Sequence, residues 1–343
     1  MDWSTDALIR GLNEQTVRLR EQKQRGLSSI ERHHQALAAL QRALGAFPET
    51  KIPLEPQLLE RREYDDFYLE RIAYGTMEHV NVPVMVLIPK FAGAGPWPAV
   101  LACHGHGSGQ HEAIGMDQSG SLLEEPGIHN RFAVQLVRKG MLVVVPEIMG
   151  FGVRRMSEEK KADAHYNSCP TLSAQLLANG RTLAGMRVYE AMRALDYLQG
   201  RDDVQQDRIG IFGFSGGGLI AAYTAALDER VRATVLCGWV NTFAGSILAM
   251  RHCIDNYLPG IALEAEQPDL IGLIAPRALF VEAGEQDQIF PIEYTVKALA
   301  ELRETYIRLG AEEKLASDIH KGGHQISGES SVDWLYEQLM AEG

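Results

Sequence analysis

The sequence predicts a doubly wound, mostly parallel α/β sheet preceded by an N-terminal helical extension. Three observations predict it. The runs "AVLACHGHG", "MLVVVPEIMGFG", "RIGIFGFSGG", "VRATVLCGW" and "RALFVEAGEQD" are continuously apolar and end in glycine or a polar cluster, as strands covered by helices on both faces must be. Between the second and third runs, "LAGMRVYEAMRALDYLQG" places Val188, Ala191, Met192, Leu195 and Leu198 on one helical face. Residues 1–47 carry apolar positions at helical spacing, among them Ile30, Leu37, Leu40 and Leu44, with few strand formers.

Taken in order, two helices are expected before residue 47, and "FPETKIPLEPQ" with its three prolines then marks a boundary. An extension over 1–50 and an α/β domain over 51–343 follow. Val80, Val82, Val84, Val86 and Ile88 alternate with a period of two, the pattern of an antiparallel edge strand exposed on one side. The five apolar runs supply the parallel strands, and ligands bind outside the carboxyl ends of such strands. The segment over 151–183 exceeds the roughly 2–6 residues of an ordinary strand-to-helix connection and reads as a pocket or lid insertion. "NTFAGSILAMRHCIDNYLPGI", within 239–268, reads as a second.

Composition excludes several classes. An apolar content of 45% with 23% charged residues is that of a soluble globular chain. With 33 Lys and Arg against 45 Asp and Glu, the net charge is -12, which argues against a nucleic-acid partner. No stretch reaches the roughly 18 apolar residues of a membrane span, and "MDWSTDALIRGLNEQ" lacks a signal-peptide pattern, so no membrane partner and a cytoplasmic location are expected. Cys103, Cys169, Cys237 and Cys253 are widely spaced with no CxxC pair; they read as free thiols without a function.

"RIGIFGFSGGG" carries the chemistry. Ser215 ends an apolar run and precedes a small-residue helix, with Gly213 and Gly217 placed where side chains would collide across a tight turn. The five residues alone fit either a nucleophile elbow or a plain strand-to-helix turn. Their surroundings favour the elbow. The amide of Gly216 then points above the serine as one oxyanion donor, and "CHGHG" offers a second in the amide of His106, with His104 as a structural hydrogen-bonder. A serine needs a base held by a carboxylate. "GEQDQIFP" supplies Asp287 and "HKGGHQ" supplies His324, in the chain order serine, aspartate, histidine. Glu282 and Glu285 lie in the same stretch; Asp287 is favoured because it stands further into the loop and Pro291 stiffens the chain just beyond it.

Through "CHGHG", "GFSGGG", "GEQDQIFP" and "HKGGH", the chain from about residue 60 to its end resembles the α/β-hydrolases of the dienelactone hydrolase and acetylxylan-esterase-like group. The resemblance implies Ser215 as nucleophile, Asp287 orienting the base, His324 as base and His106 in the oxyanion hole. It also implies a small ester as partner, with acetyl esters and acetylated sugars the expected class. Two departures stand beside it: dienelactone hydrolases proper use a cysteine, and the multi-substrate deacetylases carry "RGQ", "GxSQG" and "HE" motifs absent here. Neither a metal nor an organic cofactor is needed for this chemistry.

Two rivals come from other classes. A non-catalytic ligand-binding protein keeps the fold but usually loses a triad member, and a metal-dependent hydrolase would use His104, His106 and His111, which no acidic cluster completes. Phe151, Arg154, Arg155, Arg181, Trp239 and Tyr257 lie in loops expected to border the pocket, with no role assigned. The N-terminal helices are expected either to cap the pocket or to join a second copy in a homo-oligomer.

Overall fold

Alternating apolar side chains build a sheet with two buried faces. A computed structural model describes residues 3–117, 119–161 and 163–341. The strands are β1 (Gln57–Glu63), β2 (Phe67–Met77), β3 (Val80–Pro89), β4 (Trp97–Cys103), β5 (Leu142–Pro146), β6 (Val204–Phe214), β7 (Val231–Cys237), β8 (Ala278–Gly284) and β9 (Leu315–His320). They form one 9-stranded sheet in the order β1-β2-β3-β5-β4-β6-β7-β8-β9. The part from β5 through β4 to β9 is parallel, and β1, β2 and β3 add antiparallel. In β4, Ala99 and Leu101 enter one core while Val100 and Ala102 enter the other, the period-two alternation that lets helices cover both faces.

The described helices are α1 (Asp6–Gln24), α2 (Ser29–Leu44), α3 (His111–Ile114), α4 (Phe132–Arg138), α5 (Cys169–Ala178), α6 (Leu183–Gln199), α7 (Gly216–Leu227), α8 (Gln267–Ile271), α9 (Ile292–Arg308) and α10 (Ser331–Met340). Side chains from α2, α6, α7, α8 and α9 fill the core on one face, and those of α3, α4 and α10 fill the other. The fold is the doubly wound α/β class expected from the apolar runs.

Two expectations change. The strand expected at an edge, β3, is interior, pairing with β2 on one side and β5 on the other. Its residues from Val84 to Ile88 are buried on both faces. The covering strand β2 escapes a periodicity search because its buried residues change phase. Phe67 and Leu69 enter one core, whereas Ile72 and Tyr74 enter the other. The second change concerns the N-terminal helices. Ser28 opens α2 with a capping box: its hydroxyl accepts the Glu31 amide and the Glu31 carboxylate accepts the Ser28 amide. Ala36, Ala39, Leu40, Ala43 and Leu44 then form a buried stripe on α2, although Ile30, counted in the apolar face, is 67% exposed. Helix α2 is part of the core.

By contrast, α1 rests on the surface. Arg20 donates to the Ala262 carbonyl and pairs with Glu266 at 2.9 Å, and Lys23 pairs with Glu264 at 2.5 Å. Leu8, Ile9 and Leu12 are exposed. Leu40→Ala removes a fully buried side chain and is expected to lower stability by about 2–5 kcal/mol. Ile30→Ala, on the exposed face of the same helix, stays within about 0.5 kcal/mol of the parent. Denaturant unfolding of the two variants checks the ranking; equal effects would contradict the placement of α2 in the core.

Candidate active site

The residues of interest collect at the carboxyl ends of β4, β6, β8 and β9. Ser215 sits between β6 and α7 with φ 53° and ψ -120°, a conformation that non-glycine residues adopt at a cost of order 1–3 kcal/mol. Its amide donates to the Cys237 carbonyl at 2.9 Å, which ties the turn to the end of β7. Glycine is required on both sides. A Cβ at Gly213 would lie 2.6 Å from the Ala221 Cβ and strike the Gly217 carbonyl, and one at Gly217 would strike the Cys103 carbonyl at the end of β4. Only bare backbone lets α7 press this closely on the sheet.

The structure brings Ser215, His324 and Asp287 together. His324 Nε2 lies 2.9 Å from Ser215 Oγ, and His324 Nδ1 lies 2.7 Å from Asp287 Oδ2. The other Asp287 oxygen accepts the amides of Ile289 at 2.8 Å and Phe290 at 2.9 Å, so the carboxylate has one orientation. An ionised Asp287 requires the proton on Nδ1, leaving Nε2 to accept from the serine hydroxyl. The His324 ring is held between Phe214, with centroids 5.0 Å apart, and Phe290 at 5.7 Å.

Glu282, the competing acid, is fully buried in β8 and points elsewhere. Its carboxylate accepts the amides of Ser327 at 2.7 Å and Gly328 at 3.2 Å and the Ser331 hydroxyl at 2.5 Å. It anchors the chain between His324 and α10 and makes no contact with the imidazole. Sequence could offer Glu282 as an acid of the site; only the fold shows that it faces the start of the last helix.

His106 is brought beside Gly216. A Cβ at Gly216 would lie 2.9 Å from the His106 ring, and the Gly216 amide, as the first residue of α7, lacks an intrahelical acceptor. Two carboxylates and two buried imidazoles hold the loop carrying His106. His104 Nδ1 donates to the Gly105 carbonyl at 2.8 Å and its Nε2 accepts the Ile148 amide at 3.2 Å. The Gly105 amide donates to His129 Nε2 at 3.0 Å, which puts the proton of the neutral ring on Nδ1, 3.0 Å from Glu112. Glu112 also accepts the Ser108 amide, and Glu147 accepts the Gln110 amide at 2.9 Å.

His104, His106 and His111 do not form a ligand set. Both ring nitrogens of His104 are committed, His106 turns toward Cys169, Cys253 and Asp255, and His111 lines a separate cleft. The cysteines are free, as their spacing suggests, but Cys169 and Cys253, 84 positions apart in sequence, converge beside His106.

The cleft over Ser215 has a volume of about 280 Å³. Ile128, Phe214, Ile289 and Phe290 form its apolar wall, and His106, Arg251, His252 and Asn256 are its polar contributors. The segment over 239–268 therefore reaches the cleft. None of the described residues over 151–183 lines it; Gly152, Val153, Arg155 and Lys160 border a second cleft of about 310 Å³ that does not contain Ser215. Of the loop residues left without a role, Arg154 is locked on buried Glu190 by two contacts of 2.6 Å. Trp239 donates to Asn256 at 3.1 Å, Phe151 packs edge-on against His106 at 4.9 Å, and Arg181 donates to the Ala46 carbonyl. Tyr257 is partly exposed with its hydroxyl 3.4 Å from the Met250 carbonyl. Neither α1 nor α2 contributes to the cleft.

Fold and site together define an α/β-hydrolase. The Abhydrolase family pattern matches residues 28–307, a span that contains Ser215 and Asp287 and stops before His324, and the chain belongs to that family. It is 32% identical over 277 residues to a Bacillus subtilis (strain 168) protein provisionally named hydrolase YtaP, with 79% of this chain and 86% of that protein covered. A provisionally named acetyl xylan esterase from Bacteroides fragilis NCTC 9343 has a similar structure, with a TM-score of 0.78, 18% identity, and coverage of 99% of this chain and 96% of that one. A glucuronoyl esterase from Solibacter usitatus is similar at a TM-score of 0.68 and 14% identity, covering 90% and 92%. At such identities the likeness is one of fold.

The scaffold of the His106 loop sets a pH dependence. Burial pushes the Glu112 carboxyl up, but the His129 ring and the Ser108 amide outweigh it and hold the group down at about 2. A carboxyl held lower in the folded than in the unfolded chain stabilises the fold fully above its ordinary value of 4.5, and that contribution is lost as pH falls from there toward 2. Burial also lowers His129, whose contribution is full above its ordinary value of 6.5 and declines as pH falls below it. Glu112→Gln is expected to flatten the loss between pH 4.5 and 2 and, because it removes the carboxylate that raises His129 against burial, to deepen the His129 limb below pH 6.5. Thermal unfolding midpoints measured across pH test this, and parallel curves for the two proteins would refute it.

Proposed function

We propose that this protein is a serine carboxylic-ester hydrolase that works through an acyl-enzyme, on short-chain and in particular acetyl esters, acetylated sugars among them. The observation that carries the reading is the unbroken relay from Asp287 Oδ2 through His324 to Ser215 Oγ, at 2.7 and 2.9 Å. In this reading Ser215 Oγ attacks the ester carbonyl as its proton passes to His324 Nε2. The amides of Gly216 and His106 hold the resulting oxyanion. The imidazolium returns the proton to the leaving alcohol, and the acyl group remains on Ser215. Water then gives a proton to His324 and attacks the acyl carbon, the acid departs, and the proton goes back to Oγ. Asp287 keeps the imidazole in one tautomer throughout.

The substrate class rests on the cleft. An open cleft of about 280 Å³ walled on one side by Phe214, Ile289 and Phe290 suits a short acyl group, and similar folds include a protein named as an acetyl xylan esterase. The free cysteines fit the reducing cytoplasm we infer for it. No described helix is long and apolar enough to cross a membrane.

Ser215→Ala is expected to lower p-nitrophenyl acetate hydrolysis by about five to six orders of magnitude with the fold retained, and a phosphonate ester should label the parent once, at Ser215. Residual activity above about one percent of the parent would end the assignment. Asp287→Asn leaves the shape but favours the wrong tautomer, for a loss of about four orders of magnitude. Glu282→Gln, which alters only the anchor of the following chain, should cost far less in rate; a reversed ranking between two folded variants would move the triad acid to Glu282.

The exposed stripe of Leu8, Ile9 and Leu12 on α1 supports a homo-oligomer joined through this helix. Removal of residues 1–25 should lower the sedimentation mass to that of one chain and leave acetate hydrolysis intact. An unchanged mass would show that α1 serves only as a surface cover.

A further inference from the structure

Four side chains from three distant parts of the chain meet behind the loop that follows β4. They are His106, Cys169 at the start of α5, and Cys253 and Asp255 from the second long segment. One donor atom of each lies within 4.8 Å of the other three, and no other group of three or more His, Cys, Asp or Glu does so among the described residues. Cys169 and Asp255 are buried, and His106 Nε2 is buried without a hydrogen-bond partner. The ester chemistry proposed above uses none of these side chains, since His106 acts there through its backbone amide.

An ion pair with two bystander thiols is the simplest account. Arg187, itself buried, donates to Asp255 and approaches Cys169 Sγ at 3.2 Å. That account balances one positive against one negative charge, but it gives no reason for two thiols and an orphaned imidazole nitrogen to converge on the same point. A divalent ion does. Two thiolates and one carboxylate carry three negative charges, and a divalent cation with the Arg187 guanidinium carries three positive, with His106 as the neutral fourth ligand. Buried charge is tolerated when it is compensated in this way.

We propose that His106, Cys169, Cys253 and Asp255 form a structural zinc site that ties the loop after β4 to both long segments. Nitrogen, sulfur and oxygen donors of this kind are those zinc selects. Donor atoms on a tetrahedral zinc stand roughly 3.3–3.8 Å apart, given bond lengths of about 2.0–2.3 Å, so the widest pair here closes by no more than about 1.5 Å. The surrounding groups are those that orient metal ligands. Arg187 Nη2 reaches Cys169, Asn256 Nδ2 donates to Asp255 Oδ1 at 2.9 Å, and Trp239 fixes Asn256 in turn at 3.1 Å. Phe151 packs edge-on against the His106 ring.

Access is open, because His106 and Cys253 also line the Ser215 cleft. Binding releases two thiol protons to solvent. Four protein ligands leave no open position for substrate, so the ion holds structure and performs no step of hydrolysis. The site is therefore independent of what Ser215 does. Its bearing on activity is positional: it fixes the backbone of His106 beside Gly216.

Elemental analysis of reduced protein purified without chelator should find about one zinc per chain. Replacement by Co2+ should give a thiolate-to-cobalt charge-transfer band in the near ultraviolet with intense tetrahedral bands in the visible. Cys253→Ser and Cys169→Ser should each weaken Co2+ affinity and shift that spectrum, whereas Cys103→Ser, in β4, should leave both unchanged. The Co2+ spectrum of the parent keeps the test valid if a variant fails to fold. Reduced parent protein that shows no charge-transfer band on Co2+ addition would overturn the proposal. So would a band that persists unchanged in folded Cys169→Ser and Cys253→Ser variants. Neither result depends on esterase activity, so failure here is separable from failure of the Ser215 assignment.

Discussion

Everything in the site depends on one backbone turn, in which Ser215 leaves β6 with φ 53° and enters α7 at once. The turn costs free energy, and it holds because its neighbours over-determine it. β6 is pinned between β4 and β7, the Ser215 amide is bonded to the end of β7, and α7 lies directly on the β4 carbonyls where Gly217 has no side chain. The same turn exposes Oγ and aims the first amides of α7 above it. The hydroxyl and the proposed oxyanion donor therefore move together, and a displacement of the helix by a fraction of an ångström would change both.

Around that turn, the loops that bring the remaining groups are held by carboxylates, buried except for the half-buried Glu112, rather than by apolar contact. Glu282 collects two amides and a hydroxyl beyond His324, Asp287 collects two amides of its own loop, and Glu112 and Glu147 hold amides of the loop that carries His106. Each acid sits near a strand's carboxyl end, where chain reversals leave amides without sheet partners. Charge-assisted bonds to such amides are strong and directional. Short polar loops thus acquire a rigidity that hydrophobic packing, which is non-directional, cannot give them. The same economy explains His104 and His129: each ring accepts one amide, which fixes a neutral tautomer and leaves neither free for chemistry.

The two long segments divide their work. Residues over 239–268 carry Arg251, His252, Cys253 and Asn256 to the cleft. Residues over 151–183 stay behind the site, where Phe151 covers the His106 ring and Cys169 approaches Arg187. Arg187 connects these parts. It leaves α6, donates twice to the Met149 carbonyl, reaches Cys169 Sγ in one segment and meets the Asp255 carboxylate in the other, so one buried guanidinium joins the two segments.

The amino-acid sequence by itself determined the parallel core of the sheet and singled out Ser215, Asp287 and His324, which the fold brings together, with Gly216 and His106 beside one another. Those residues are legible because each is tied to a local pattern: a glycine-flanked turn after an apolar run, or a polar loop at a strand's end. Local pattern also misled where burial came from a distant partner. β3 reads as an edge strand because its own alternation cannot reveal β2 beside it, and β2 is hidden because its buried side chains change faces midway. Helix α2 reads like α1, yet only α2 meets the core. Glu282 and Asp287 lie five positions apart on one strand and loop, and only the packing of α10 and of the His324 loop decides which faces the imidazole. The meeting of His106, Cys169, Cys253, Asp255 and Arg187 is wholly a product of tertiary structure. Their contacts span up to 149 positions of chain, and no periodicity records which distant loops a folded sheet brings to the same end.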